Sequence, residues 1–223
     1  MKTVAILGDG VLAPSGTFFY GVRTATLAGL LLAALLWLCA ISIGPAGAMS
    51  LDADELKRLN AGEAIVHVFP DDSGEADGLI EAAMVVAAPP ARVYEVMLDC
   101  TRAVKFLPAL TACHVLETSP DGLSDLREHR SKWISILPET VSIFRSQYVK
   151  NREIRFEKAG GDLKFLKGSW TLEPLKGGTA TKLNYRVRVG VSAPVPGFMV
   201  RGALEQDVPK FLNALKREAM ARP

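Results

Sequence analysis

The stretch from Pro196 to Arg222 reads as one long amphipathic helix whose packing partner has to be the strands that precede it. Val200, Ala203, Leu204, Val208, Phe211, Leu212, Leu215 and Ala219 recur at steps of three and four and form one apolar stripe. Arg201, Glu205, Gln206, Lys210, Asn213, Lys216 and Arg217 take the opposite face. From about Ala112 to Gly190 the chain reads almost wholly as strands. A sheet of consecutive hairpins has one face to cover, and a single long helix can cover it while leaving space beneath. That arrangement suggests a container for an apolar molecule. Pro209, inside the helix, is expected to kink or restart it.

The other end of the chain carries a different signal. Ala25 to Ile43 has no charge, follows Arg23, and is succeeded by Pro45 and the small residues Ala46-Gly47-Ala48. As a helix it would nearly span a hydrocarbon core, so a retained anchor competes with a cleaved signal peptide; Pro45 and the small-residue site favour cleavage. Both readings export the domain, in a bacterium to the periplasm or the outer face of the inner membrane. Residues 1–22 are a long lead for a signal, and a start nearer Val22 would account for them. Within that lead, Gly8-Asp9-Gly10 followed by Ala13 imitates a dinucleotide-binding turn. An export segment follows it instead of a βαβ unit, which argues against that reading. The expected organisation is 1–48 signal or anchor, 49–61 short helix or linker, and 62–223 one ligand-binding domain.

Residues 1–48 hold Lys2, Arg23 and Asp9, so the 26 basic and 24 acidic residues of the whole chain become 24 and 23 beyond them. A domain so close to neutral has no electrostatic case for nucleic acid. Cys39 lies in the export segment and lacks the small residue a lipoprotein cysteine needs before it. Cys100 and Cys113 remain. An oxidising compartment would allow them to pair, and two buried thiols are the other reading.

Along the domain, Leu51–Asn60 reads as a helix capped by Asp52 with Glu55 three residues on. Strands are expected over 62–69 and 76–87. Pro89-Pro90 then opens a helix over Ala91–Asp99, and a second short helix covers Thr101–Phe106. Six further strands follow, over 112–118, 125–137, 139–150, 153–158, 166–175 and 179–191. In the last, Leu183, Tyr185, Val187 and Val189 interleave with Lys182, Asn184, Arg186 and Arg188, so one side is covered and the other wet.

The order of strand, two short helices, a run of strands and a long closing helix is α+β and of helix-grip type. Several motifs agree: Ala88-Pro89-Pro90 with Val93 and Tyr94, Leu98-Asp99, Phe106-Leu107-Pro108, Gly161-Asp162, Gly168-Ser169-Trp170 and Thr181-Lys182-Leu183-Asn184-Tyr185. Together they resemble a START-like domain of the polyketide cyclase/dehydrase and coenzyme-Q-binding (Coq10-like) branch, over about 62–222. The resemblance implies a curved antiparallel sheet of about seven strands. Between sheet and helix it implies a deep cavity for a lipid, quinone or polyketide. The covered positions make Phe156, Trp170, Leu172, Leu183, Tyr185 and Val187 the candidate strand lining. Leu107 is added from the entrance, and Leu204, Val208 and Phe211 from the helix; each could equally be plain core.

Catalytic chemistry has little support in the sequence. His67, His114 and His129 have no metal-ligand spacing, and no metal or cofactor is expected. His129 is the best candidate acid or base. It sits in Arg127-Glu128-His129-Arg130-Ser131-Lys132, a strand polar enough to read as an exposed edge or outer face. Arg145 and Gln147 could orient a polar head group if their side of the strand faces inward. The opposite phase, with Phe144 and Tyr148 inward, reads almost as well. Asp99 matches a family motif and also fits as the cap of the next helix. The reading that follows is an exported, monomeric, non-catalytic carrier or sensor of a hydrophobic molecule such as a lipid or quinone, with a membrane surface as a source of ligand. A cyclase or dehydratase acting on a polyketide-like or aromatic substrate is the alternative.

Overall fold

The structure, a computed structural model, describes residues 49–107, 109–132, 139–192 and 194–221. The apolar run Ala25–Ile43 lies outside them. Among the described residues no helix is long and apolar enough to cross a membrane.

Helix α1 (Ala53–Asn60) comes first, and its predicted capping box is present: Glu55 N–H donates to Asp52 Oδ1 and Asp52 N–H donates to Glu55 Oε2. Strands β1 (Ile65–Phe69) and β2 (Gly78–Val86) form a hairpin, followed by α2 (Pro90–Leu98) and α3 (Cys100–Phe106). Asp99 caps α3 as expected, accepting from Arg102 N–H at 3.1 Å. A meander then runs through β3 (Leu110–Thr118), β4 (Ser124–Ser131), β5 (Thr140–Val149), β6 (Glu153–Gly161), β7 (Leu163–Leu175) and β8 (Ala180–Val191). Helix α4 (Gly197–Ala221) closes the chain.

All eight strands belong to one antiparallel sheet in the order β1-β2-β8-β7-β6-β5-β4-β3. Two helices between β2 and β3 let the chain pass from one end of this sheet to its far edge. Register shifts between β3 and β4, β5 and β6, and β7 and β8 mark irregularities of the kind that increase local twist. The fold is α+β of helix-grip type, with the eight strands read along the sequence and one more than the resemblance implies.

Helix α4 packs against β1, β2 and α2. Its buried residues, Val208, Leu212, Ala214, Leu215 and Ala219, run from just before its midpoint to its end, above a core of Ile80, Met84, Val86, Val93, Leu183 and Val187. It continues through Pro209 without a break. The carbonyl that Pro209 leaves without a helical donor is that of Glu205, an exposed residue. On the other face of the sheet α1 brings Leu59 against Ile65 and Ala83, which is why β2 is covered on both sides.

Cys100, the first residue of α3, is disulfide-bonded to Cys113 on β3, with their Cα atoms 5.4 Å apart. The reading of two buried thiols is therefore replaced by a pair. Closing so short a loop stabilises a fold by about 2–4 kcal/mol. Reduction, or a Cys113→Ser substitution, should lower the melting temperature by roughly 10 °C. Unchanged melting with and without dithiothreitol would show that the bond adds nothing.

Candidate inner-face ligand site

Strand pairing fixes which side chains share the face beneath α4. Leu183, Tyr185, Val187 and Val189 on β8 stand opposite Leu172, Trp170, Gly168 and Leu166 on β7. Trp170 and Gly168 stand opposite Ile154 and Phe156 on β6, which in turn meet Tyr148 and Ser146 on β5. Ser146, Phe144 and Ser142 lie opposite Asp125, Arg127 and His129 on β4. Because side chains alternate along a strand, all of these belong to one face.

The predicted lining divides in two on this face. Trp170, Leu172, Leu183, Val187 and Val208 are buried and form solid core with α2 and α4. Phe156, Tyr185, Leu204 and Phe211 are only half-buried, as are Phe144, Leu166 and Val189 beside them. Leu107 is half-buried just after α3. Arg145 lies on the opposite face, with 47% of its side chain exposed, 3.5 Å from Glu117. Phe144, Ser146 and Tyr148 are the inward phase of β5, which removes Arg145 and Gln147 from the inner face. Arg145 is thereby corrected as a cavity residue: the pleat that points Phe144 inward turns its neighbour out.

The half-buried rings form a continuous path. His129 meets Phe144 edge-on at 4.8 Å, Phe144 meets Phe156 at 6.1 Å, and Phe156 faces Tyr185 at 6.4 Å. Tyr185 stacks on Trp170 at 3.8 Å, and Phe211 of α4 caps both rings. Phe156 and Tyr185 sit on strands that are not neighbours, and they reach each other because Gly168 lies between them. A Cβ there would stand 2.7 Å from Phe156 Cζ and 2.6 Å from the Arg186 carbonyl oxygen.

At the end of the face bordered by α2 the chemistry changes. Asp125 is 4% exposed and Arg127 7%, and Arg127 Nε donates to Asp125 Oδ2 at 2.8 Å. Arg127 Nη1 also donates to the carbonyl of Leu98, at 3.2 Å. Leu98 is the last residue of α2, where helix carbonyls lack intrahelical donors and the dipole favours a cation. Tyr148 is 9% exposed and lies edge-on to Tyr94. The Tyr148 hydroxyl is buried beside Asp125 and Ser146 and interacts with both side chains. Burial pushes the Tyr148 and Tyr185 hydroxyls well above the usual phenol range, so both are neutral donors.

The sequence reads the strand of Arg127 and His129 as an exposed edge or outer face because it is so polar. The structure instead alternates Asp125, Arg127 and His129 inward with Leu126, Glu128 and Arg130 outward, where Arg130 Nε donates to Glu128 at 2.8 Å. Strict alternation was the signal, and the density of charge obscured it.

The class defined by this fold and face is a helix-grip domain of START type, with a half-open apolar inner wall. The chain belongs to the polyketide cyclase/dehydrase and lipid transport family, whose model matches residues 86–216. Among solved structures it is similar to the STAR-related lipid transfer protein from Xanthomonas axonopodis. Identity there is 15%, with 78% of this chain and 98% of that one covered and a TM-score of 0.60. A START superfamily protein from Mycobacterium smegmatis is similar at 21% identity, covering 64% and 97%, with a TM-score of 0.57. The Zhui aromatase/cyclase from Streptomyces sp. R1128 follows at 18% identity, covering 65% and 94%, with a TM-score of 0.56. At such identities the likeness concerns the fold. No curated protein matches the chain in sequence.

Two consequences are measurable. Gly168→Ala should displace the Phe156 ring and cost on the order of 1–3 kcal/mol in chemical denaturation; an unchanged denaturation midpoint would contradict the close approach. His129 is the second case. Burial, reinforced by the charge of Arg127, lowers its pKa from 6.5 to about 4. The folded protein therefore keeps it neutral where the unfolded chain takes up a proton. Its share of stability is full above pH 6.5 and is lost as the pH falls toward 4, approaching on the order of 2–3 kcal/mol. A His129→Gln variant should show a flatter stability profile between those two pH values, and an unaltered slope would place the titration elsewhere.

Proposed function

We propose that the domain is an exported carrier or sensor that binds a lipid, quinone or polyketide-like molecule against the inner face of its sheet. The observation that carries this reading is the half-buried apolar wall of Phe144, Phe156, Leu166, Tyr185, Val189 and Phe211. Rings and branched side chains on the inside of a sheet stay accessible where no described residue covers them, and a bound apolar molecule would cover them. Burying about ten methylenes there supplies on the order of 8 kcal/mol gross. Association and ordering consume much of it, leaving affinities in the micromolar range. Export is supported by the uncharged run Ala25–Ile43 and by the Cys100–Cys113 bond, which persists in oxidising compartments. Val195, Phe198 and Met199 are exposed where the chain enters α4 and support exchange of ligand at a membrane surface.

Native mass spectrometry of the protein isolated from its own host should show a bound mass of lipid or quinone size. Leu166→Trp fills part of the accessible wall and should weaken binding of that molecule at least tenfold without lowering the melting temperature. A protein that arrives empty and binds no apolar probe would end this reading.

A second reading, a cyclase or dehydratase acting on a polyketide-like substrate, is favoured by one observation. Arg127, His129 and Tyr148 share the inner face, and His129 is held neutral where it could accept a proton. Loss of turnover in a His129→Gln variant of unchanged stability would establish it over the carrier.

A further inference from the structure

Toward the end of the sheet where α4 begins, the inner face carries a second polar cluster, and each of its groups can donate a hydrogen bond. His129 on β4 stands opposite Ser142 on β5, and Phe144, two residues further along β5, stands opposite Lys158 on β6. Lys158 follows Ile154 and Phe156 in the inward phase of β6, so the pleat turns it over the same face. Side chains directly opposite on antiparallel strands start about 5 Å apart. The three polar groups therefore surround the Phe144 ring, which His129 meets edge-on at 4.8 Å.

His129 and Ser142 are half-buried and Lys158 is exposed, and none of the three has a hydrogen-bond or ion-pair partner among the described residues. The outer-face lysines differ: Lys167 lies 3.6 Å from Glu157, and Lys182 lies 3.8 Å from Glu173. On the inner face of β4 to β8 the one carboxylate is Asp125, and Arg127 engages it at 2.8 Å. Lys158 thus leaves a positive charge uncompensated beside an apolar wall. A cationic head group would be repelled there. A ketone or quinone oxygen has two lone pairs to offer an ammonium, a hydroxyl and an imidazole N–H. The oxygens of an oxyanion accept from all three and cancel the charge as well.

We propose, building on the carrier reading above, that His129, Ser142 and Lys158 form the head-group site of the bound molecule, and that this molecule is an amphiphile whose head is an oxyanion, a carboxylate or a phosphate monoester. Lys158 Nζ pairs with the anion, while the Ser142 hydroxyl and the His129 ring N–H donate to its oxygens. The apolar tail lies along Phe144, Phe156, Tyr185 and Phe211.

Isothermal titration calorimetry of the full chain at pH 8 with decanoate, decyl phosphate, 1-decanol, decyltrimethylammonium and inorganic phosphate tests this. At least one of the two anionic amphiphiles should bind about tenfold more tightly than 1-decanol, the step expected of charge-assisted hydrogen bonds, and the one that does so identifies the oxyanion. Decyltrimethylammonium should bind more weakly than the alcohol. Lys158→Ala removes no contact within the domain, so the melting temperature should hold while the anion's advantage over 1-decanol falls several-fold. Lys167→Ala, on the outer face, should leave that advantage unchanged. Equal affinity for anion and alcohol, or an advantage that survives Lys158→Ala, overturns the head-group site and leaves the carrier intact. Inorganic phosphate binding as tightly as decyl phosphate overturns the amphiphile, because the tail would then count for nothing. Absence of binding by all the decyl probes overturns the carrier reading and the head-group site with it.

Discussion

Strand β2 runs beside β8 over nine consecutive residue pairs, from Gly78 opposite Val189 to Val86 opposite Thr181. This pairing joins the N-terminal hairpin to the end of the meander, and most of the structure follows from it. It brings Ile80, Met84 and Val86 onto the same face as Leu183 and Val187, which creates the apolar floor on which α4 lands. It also gives Thr181 a buried partner, the Ala88 carbonyl at 2.7 Å, just ahead of the turn into α2. With register fixed there, the alternation of every later strand is fixed in turn, because each hairpin inherits the face of its neighbour. A slip of one residue would send Tyr185 and Trp170 to the solvent side.

The inner wall is consequently uneven in a useful way. Above β2 and β8 it is filled by α4, and Ile80, Met84, Leu183 and Leu212 are all but fully buried there. Toward β4, β5 and β6 the side chains are large, half-accessible and aromatic. Within that apolar surface the Asp125–Arg127 ion pair has been buried beside the Tyr148 phenol. Natural sequences place such costs where function uses them, since an apolar pair of equal volume would be at least as stable. The Arg127 bond to the end of α2 ties this cost to the architecture: the same guanidinium that neutralises Asp125 also finishes a helix.

Much of this was legible beforehand. The capping box of α1, the Asp99 cap, the covered side of β8 and the apolar stripe of α4 are local patterns, and local patterns survive folding. What resisted reading was the facing of strands with mixed composition. Residues 124–131 carry charges at adjacent positions, so the eye sees an exposed edge, whereas only the outward members meet water. Residues 141–149 offered two phases of similar hydrophobicity, and the structure takes the one that turns Phe144 and Tyr148 inward and Arg145 out. Neither ambiguity yields to a single strand, because the answer resides in the neighbours: Phe156 across from Ser146, and Cys113 across from His129. The stripe on α4 was correct in phase but too long, since its first half overhangs the floor.

That overhang bears on how anything enters. Helix α4 is held at its C-terminal end by an Arg102–Glu218 ion pair and by Lys216 Nζ donating to the Gly62 carbonyl at 2.6 Å. Near its start, Arg201 Nη1 donates to the Asp77 carbonyl at 3.2 Å, and no residue before Val208 is fully buried. Pro209 removes a ladder bond where the tightly packed half meets the loose one. The α3 side of the site is held differently: the disulfide fixes Cys100, and the two residues before it are fixed by Arg127 and by the cap. Lifting α3 would break a covalent bond, a buried charge contact and a helix cap together. Lifting the first turns of α4 breaks the part-buried Arg201 hydrogen bond and uncovers side chains that are only half-buried, such as Leu204, so that half of the helix is the physically cheaper door.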